Sequence, residues 1–281
     1  MILVTGAGGK TGQTILDALA MQPESVRAWV RRPEQVEGLV CADWIAGDMQ
    51  DAPLWEAACK GVRAIYHICP NLHPEEIAIT HRAVEAASRA GVEHFVYHSV
   101  FHPQTSTMPH HWRKLQSEEV ILASGLPFTI LQPCAYMQNV LAYWPSITGH
   151  SVYPVPYALN ARLSLIDLRD VAAAAVRVLT EAGHANAIYE LAGPQPLSQV
   201  EVAGLLTERL GYPVQAERVA WGDWEADARR RGMSDDAVQT LLAMFRYYNR
   251  HGLVGNTNVL GWLLGRKPTR FDAFLDRIVE E

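Results

Sequence analysis

Cysteine is scarce in this 281-residue chain, which carries four: Cys41, Cys59, Cys69 and Cys134. None stands in C-x-x-C spacing and all lie in apolar segments, which argues against a disulfide scaffold and for reduced, mostly buried thiols in a reducing cytoplasm. A basic block is also missing. The net charge is −6 and is spread along the chain, so there is no footprint of nucleic-acid or anionic-membrane binding. No stretch reaches the ~18 apolar residues of a membrane span. The opening MILVTGAGG is too short an apolar run for a signal peptide, so the expectation is a cytoplasmic protein. Internal repeats and low-complexity segments are absent as well. What remains is a partner of small-molecule kind.

The material present is that of a globular chain, 49% hydrophobic and 19% charged, enough for one large domain or a domain with a smaller lobe. Short β-branched runs alternate with helical patterns. MILVTG, SVRAWVR, DWIAGD, VRAIYHIC, VEHFVYHS and LPFTILQP read as six strands. All but the last are followed by a helical pattern, including PEQVEGL after the second and PHHWRKLQSEEVILASG after the fifth. That order predicts an α/β fold with a doubly wound parallel sheet covered on both faces. Gly61, Gly91 and Gly125 are placed to end helices in the left-handed conformation. After residue 135 the pattern loosens, then resumes as one helix (DLRDVAAAAVRVLTEAG) and one strand (AIYELAG) that rejoin the sheet. Ser198 and Glu201 form a capping box at the head of a further helix. The expected organisation is a nucleotide-binding domain over 1–135 with 161–190 rejoining it. A smaller, mainly helical C-terminal lobe takes 136–160 and 191–281.

GAGGKTG follows the first strand and opens the first helix, with Gly6, Gly9 and Gly12 at G-x-x-G-x-x-G spacing and Gly8 between them. A pyrophosphate needs a tight turn, backbone without Cβ beside it, and free helix N–H groups, here from Lys10, Thr11 and Gly12. An ordinary βα turn is the bland alternative. Near the end of the second strand, where an acidic residue would take a ribose 2′-hydroxyl, stand Arg31 and Arg32. Guanidinium groups suit a 2′-phosphate, so NADP(H) is favoured over NAD. Asp48, with Met49 beside it, stands where an adenine amino group can be bound; an N-cap for the helix near Asp51 is the other reading. Cys69, Pro70 and Asn71 leave the fourth strand at the central crevice, where open α/β sheets bind ligands.

Two imidazoles, an indole and two cations crowd into HHWRK, residues 110–114. On a helix His110 and Lys114 share a face, their Cβ atoms ~5–6 Å apart, and Ser99 ends the strand before. The plain reading is a surface helix with Pro109 in its first turn, Lys114 and Glu118 as an i,i+4 pair, and Trp112, Leu115 and Leu122 facing inward. The sixth strand ends in QPCAYMQN, which brings Pro133 and Cys134 to the cofactor side and Tyr136 and Asn139 to the substrate side, where Tyr136 either stacks on a flat substrate or merely packs the lobe. Tyr143, Trp144, Tyr153 and Tyr157 line an aromatic pocket or form the core of the lobe. His94, His98 and His102 recur every four residues, but i and i+4 on a strand stand ~13 Å apart, so no metal site is expected. Cys134 lacks a base partner for nucleophilic work.

GAGGKTG, VRRP, GDMQD, HSVFH, the Lys114-to-Glu118 spacing, SGLPFTILQPCAYMQN and IDLRDVAAAA occur in this order over nearly all of residues 1–200. Together they resemble the atypical short-chain dehydrogenase/reductases of the NmrA-like family, in particular its NADPH-dependent quinone and triphenylmethane-dye reductases. The tail from 210 resembles the family only loosely. The resemblance implies a Rossmann core of strand order 3-2-1-4-5-6 and an NADP(H) site made by the residues named. Typical members of the superfamily use Y-x-x-x-K beside a serine. Here His110 takes the tyrosine's place while Ser99 and Lys114 remain, Lys114 for the nicotinamide ribose and Ser99, with His102 near it, for the substrate. A lysine ammonium tunes a phenol of pKa ~10 towards neutrality but pushes an imidazole of pKa ~6.5 further down, which makes histidine a poor proton donor there. The expected activity is therefore hydride delivery to a conjugated, electron-poor acceptor, which needs little acid help. The rival from another class is an NADP(H)-sensing regulator that binds cofactor without turnover. A nucleotide-sugar epimerase is disfavoured for want of a competent base. Whether the chain works as a homodimer or with a regulatory protein partner is left open by the sequence.

Overall fold

The computed structural model of the chain describes residues 1–280. The first half runs β1 (Ile2–Val4), α1 (Lys10–Leu19), β2 (Val26–Val30), β3 (Asp43–Ala46), α2 (Ala52–Ala58), β4 (Ala64–His67), α3 (Glu76–Arg89), β5 (His94–His98), α4 (Pro109–Leu122) and β6 (Phe128–Pro133). Then follow α5 (Trp144–His150), β7 (Val152–Val155), β8 (Arg162–Ser164), α6 (Leu168–Thr180), β9 (Ala187–Leu191), β10 (Pro196–Ser198) and α7 (Gln199–Leu210). Last come β11 (Gln215–Arg218), α8 (Trp221–Arg230), α9 (Asp235–His251), α10 (Asn258–Leu264) and α11 (Phe271–Glu280).

One seven-stranded sheet has the order β3-β2-β1-β4-β5-β6-β9, and its first six strands are parallel throughout. This is the doubly wound Rossmann arrangement expected from the alternation, with β9 rejoining beside β6. Strands buried on both faces need unbroken apolar runs, and ILV of β1 and AIYH of β4 are buried at every position. The order reverses between β1 and β4, the switch point that opens a crevice at the strands' carboxyl ends. Gly61, Gly91 and Gly125 take the left-handed conformation at helix ends. PEQVEGL does not make the expected helix: only a four-residue 3-10 turn forms at Pro33–Val36, with Glu37 as its C-cap and the left-handed Gly38 (φ 80°) turning the chain away after that.

By its internal contacts the chain divides into two compact units. The first holds residues 1–104, 111–132 and 168–189, and the second holds 105–110, 133–167 and 190–281. The core of the first unit gathers Leu3, Trp29, Trp55, Ile65, Phe95 and Tyr97, with the Trp29 and Trp55 rings 4.5 Å apart. Each such side chain contributes about 1.5–3 kcal/mol on burial. The second unit is mainly helical but also carries two small sheets, β8 with β10 and β7 with β11. Its helix α7 has the Ser198–Glu201 capping box, and Ala228, Val238 and Leu242 form a core with Trp221, Trp224 and Phe245 against it. All four cysteines are free. Among the described residues no helix is long and apolar enough to cross a membrane.

Candidate active site

The glycine loop is shaped so that side chains are excluded. Gly6 is left-handed (φ 63°), and a Cβ on Gly12 would lie 2.4 Å from the Gly6 carbonyl oxygen and 2.6 Å from Ala7 Cα. Gly9 caps α1 without any side-chain hydrogen bond, which leaves the first N–H groups of the helix for an anion. Exposed Lys10 and half-buried Thr11 open that helix. Gln35 couples this loop to the end of β2. Its Oε1 accepts from the backbone N–H of Arg31 (3.1 Å) and Arg32 (2.9 Å), and its Nε2 lies 3.0 Å from where a Cβ on Gly8 would be. Both arginine residues are exposed. A cradle closed to side chains beside two exposed guanidinium groups fits a dinucleotide with a 2′-phosphate. Gln35 was not singled out from the sequence, because only folding brings it against Gly8.

Along the crevice, Thr5 Oγ1 donates to the Ile68 carbonyl (3.0 Å), accepts from the Ile68 N–H (2.8 Å) and is hydrogen-bonded to His67 Nδ1 (3.0 Å). This pins the exit of β4. Cys69 is buried, and burial pushes its thiol far up with Glu76 adding to the effect. Pro70 and Asn71 are exposed, and Leu72 after them is left-handed at φ 57°, a strained setting for a leucine. Asp48 does not cap α2, whose N-cap position is Asp51. Its carboxylate instead accepts from the Gln50 N–H at 2.9 Å. Met49 is buried, and its carbonyl accepts from Trp55 Nε1 at 2.7 Å.

Helix α4 inverts the plain reading of HHWRK. Trp112 (39% exposed) and Leu122 (50%) face outward, while His110, His111, Lys114, Ser117, Glu118 and Ile121 are buried. Their spacing is one helical stripe, polar along most of its length. Lys114 and Glu118 do not pair with each other. The Lys114 ammonium lies 2.6 Å from Glu76 of α3 and donates to the His98 carbonyl at 2.8 Å. It also stands 4.9 Å from the centre of the Tyr97 ring. Tyr97 donates its phenolic proton to Glu76 at 2.9 Å, and burial, then Glu76, pushes its pKa well up. Glu118 accepts from Ser99 and from Gln132 Nε2, at 2.9 and 3.0 Å to its two oxygens. The structure thus brings Ser99 to Glu118, and Lys114 to Glu76. In the sequence Glu118 reads only as an i,i+4 partner of Lys114 and Glu76 is not marked at all: the 3.6-residue recurrence of polar residues is the available signal, but it does not say which face turns in.

Histidines surround this stripe. His67 and His98 are held down to about 3 by burial, with the Lys114 charge acting the same way. His111 is held down to about 4 by burial, against the hydrogen bonds it makes to the backbone of His102 and Phe101. His102 is left-handed (φ 52°) and stacks on Phe101 with ring centres 3.8 Å apart. His94 bonds Thr129 and His98 bonds Tyr66, each at 2.8 Å. Among the described residues no group of three or more His, Cys, Asp or Glu could hold a metal ion.

In the second unit Pro133 ends β6. The buried Cys134 thiol donates to the Leu253 carbonyl at 3.6 Å and is pushed up to about 12, chiefly by burial. That leaves no thiolate at neutral pH. Tyr136 is half-buried and bridges to Ile166, and Asn139 is exposed. Tyr153 is buried with its ring 6.0 Å from Tyr143, and Tyr157 packs edge-on to Tyr248 at 5.7 Å. These rings pack on one another as a core.

With this geometry in place, likeness to known proteins adds a direct test of descent. The chain is 28% identical to an NAD(P)H azoreductase of Xenophilus azovorans over 278 residues, covering 98% of this chain and 96% of that one. It is 27% identical to quinone oxidoreductase 2 of Escherichia coli (strain K12) over 273 residues, 96% and 95% of the two chains. The structure of that oxidoreductase complexed with NADPH superposes with a TM-score of 0.87 at 26% identity, over 99% of this chain and 100% of that one. The Citrobacter sp. triphenylmethane reductase complexed with NADP(H) gives 0.85 at 25% identity, over 98% and 99%. Residues 1–275 match the NmrA-like family, and the chain belongs to that family.

Proposed function

We propose that this chain, an NAD(P)H-dependent oxidoreductase, passes hydride to a conjugated, electron-poor small molecule such as a quinone, an azo compound or a cationic dye. The observation that carries this reading is the end-to-end likeness to reductases of that kind, matched by a glycine cradle that admits no side chain. When bound, NADPH supplies the hydride. Gly6, Gly8, Gly9 and Gly12, with the N–H groups of Lys10 and Thr11, hold the pyrophosphate, and Arg31 and Arg32 hold the 2′-phosphate. Asp48 and Met49 flank the adenine. Cys69, Pro70, Asn71, Pro133 and Cys134 take the nicotinamide side. Ser99, His102, Tyr136 and Asn139 take the acceptor. Lys114 carries its charge beneath the nicotinamide end from within its pair with Glu76, a task of positioning rather than of proton transfer. An acceptor whose charge is delocalised suits a site with histidine in the tyrosine's place.

The test is steady-state oxidation of NADPH and NADH against a panel of quinones, azo compounds and triarylmethyl dyes. Changing Arg31 and Arg32 together to alanine should raise KM for NADPH about 10²-fold, since two charge-assisted contacts at about 1.5 kcal/mol each are removed, and leave KM for NADH within about threefold. Equal losses for both cofactors would sink the 2′-phosphate assignment, and inertness across the panel would sink the reductase reading. Two observations favour the sensor alternative: the ammonium of Lys114 is turned to Glu76, and position 110 holds histidine rather than tyrosine. A sensor would bind NADP⁺ and NADPH with different consequences for its oligomeric state or partner affinity while consuming neither.

A further inference from the structure

Reduction of a neutral quinone consumes a proton as well as a hydride, and a histidine in the tyrosine position is a poor source of it. We propose that the proton comes from Glu118 by way of Ser99. The Ser99 Oγ–H bond breaks towards the acceptor oxygen while the carboxyl of Glu118 re-protonates Oγ. This rests on the reading above, in which Ser99 faces the acceptor.

The geometry is that of two buried groups in direct hydrogen-bond contact. Ser99 directly follows β5, and its hydroxyl donates to Glu118 Oε1; in the relay this bond reverses, the protonated carboxyl donating to Oγ while the serine O–H turns to the acceptor. Gln132, near the end of β6, bridges both oxygens of Glu118 with one Nε2, which fixes the carboxyl plane and leaves Oε1 turned to the serine. Glu118 is 3% exposed and Ser99 likewise 3%. Around the acid, β5 offers Ser99 and β6 offers Gln132, neither ionisable. On its own helix Lys114 is the charged neighbour, with its ammonium directed to Glu76. Burial outweighs the lowering by Ser99, Gln132 and Lys114, so the carboxyl sits above the usual carboxylate range. Burial favours the protonated form of this carboxyl, the form a general acid needs. The balance closes: quinone, hydride and one proton yield hydroquinone, the oxidised cofactor leaves, and the carboxylate regains a proton from water between turnovers.

A cationic triarylmethyl dye consumes no proton, because hydride added to its central carbon gives a neutral product. The two acceptors therefore separate the relay from the rest of the site. With NADPH, Glu118→Gln and Ser99→Ala should each lower kcat for a neutral 1,4-naphthoquinone about 10²-fold, the usual worth of general acid catalysis. The ratio of quinone to malachite green turnover should fall at least about tenfold. The wild-type quinone rate should decline on the alkaline side as Glu118 ionises, a limb absent from Glu118→Gln. Independently of turnover, infrared titration of the cofactor-free protein should show a protonated carboxyl band persisting above the pH where exposed glutamates ionise, and Glu118→Gln should remove it. Equal losses on both acceptors, or a carboxyl that ionises like an exposed one, would overturn the relay alone. A wild type inert towards both acceptors would overturn the reductase reading and the relay with it.

Discussion

Along the inner face of α4 the first unit buries His111, Lys114 and Glu118 beside His67 and His98. The second unit puts Tyr153 and Tyr248 inside and keeps charges such as the Arg229–Glu225 pair at its surface. The difference is one of what burial holds neutral. Imidazoles resist protonation when buried and phenols resist ionisation; the first unit holds both kinds, with Tyr97 raised by burial near these histidines, so it is poised against acid and base alike, whereas the phenols of the second poise it against base. Surface pairs of the Arg229 kind contribute little to either response.

The largest effect should come from pH. The folded pKa values of His67, His98 and His111 lie well below the unfolded value, so their contribution is complete above pH ~6.5 and is lost as pH falls towards 3–4. By pH 5 each forfeits about 2 kcal/mol, and three approach about 6 kcal/mol, a large share of an ordinary domain's stability. Glu118 works in the opposite sense, gaining as pH falls through its raised pKa, and trims that loss. Tyr153 and Tyr248 are raised by burial. Their contribution holds below pH ~10 and declines above it, by about 1 kcal/mol each near pH 10.5. Hydrogen exchange read segment by segment should therefore show α4, β4 and β5 opening first at pH 5, and β7 and α9 opening together with β5, which carries Tyr97, at pH 10.5. The same order of opening at both extremes would erase the contrast.

Next in size is the pair of Lys114 with Glu76. Removing one member strands a buried charge, so Lys114→Met or Glu76→Gln should each cost about 3–5 kcal/mol in urea unfolding. The double variant should cost clearly less than the sum, because neither charge is then left alone. Strict additivity would mean that the two are not coupled and that α4 is held by its other contacts.

How far such features were legible differs between the two units for a physical reason. Strands β1 to β6 and the stops at Gly61, Gly91 and Gly125 follow from local pattern, and so does the cradle of Gly6 and Gly12, since only glycine fits there. The burial of α4 does not follow from local pattern. Whether Lys114 and Glu118 face water or the interior is decided by Glu76, Ser99 and Gln132, which lie 14 to 38 positions away in sequence, and a Lys-x-x-x-Glu spacing reads the same in either case. The second unit was hard for another reason: β7, β8, β10 and β11 are three or four residues long, too short to carry a period of two.

The smallest effect sharpens the contrast most cleanly. Tyr153 donates its phenolic proton to Gln199 Oε1 at 3.0 Å, and Gln199 in turn donates to the Ala161 carbonyl at 3.3 Å, so the bond joins β7 to the head of α7. Both partners are neutral. Tyr153→Phe should therefore cost about 1 kcal/mol, the net worth of one buried hydrogen bond, and that cost should stay constant from pH 5 to pH 9 in urea unfolding. A cost that grew towards acid would place a titrating group in this bond. The second unit would then share the first unit's sensitivity to acid, and the contrast between the two would be lost.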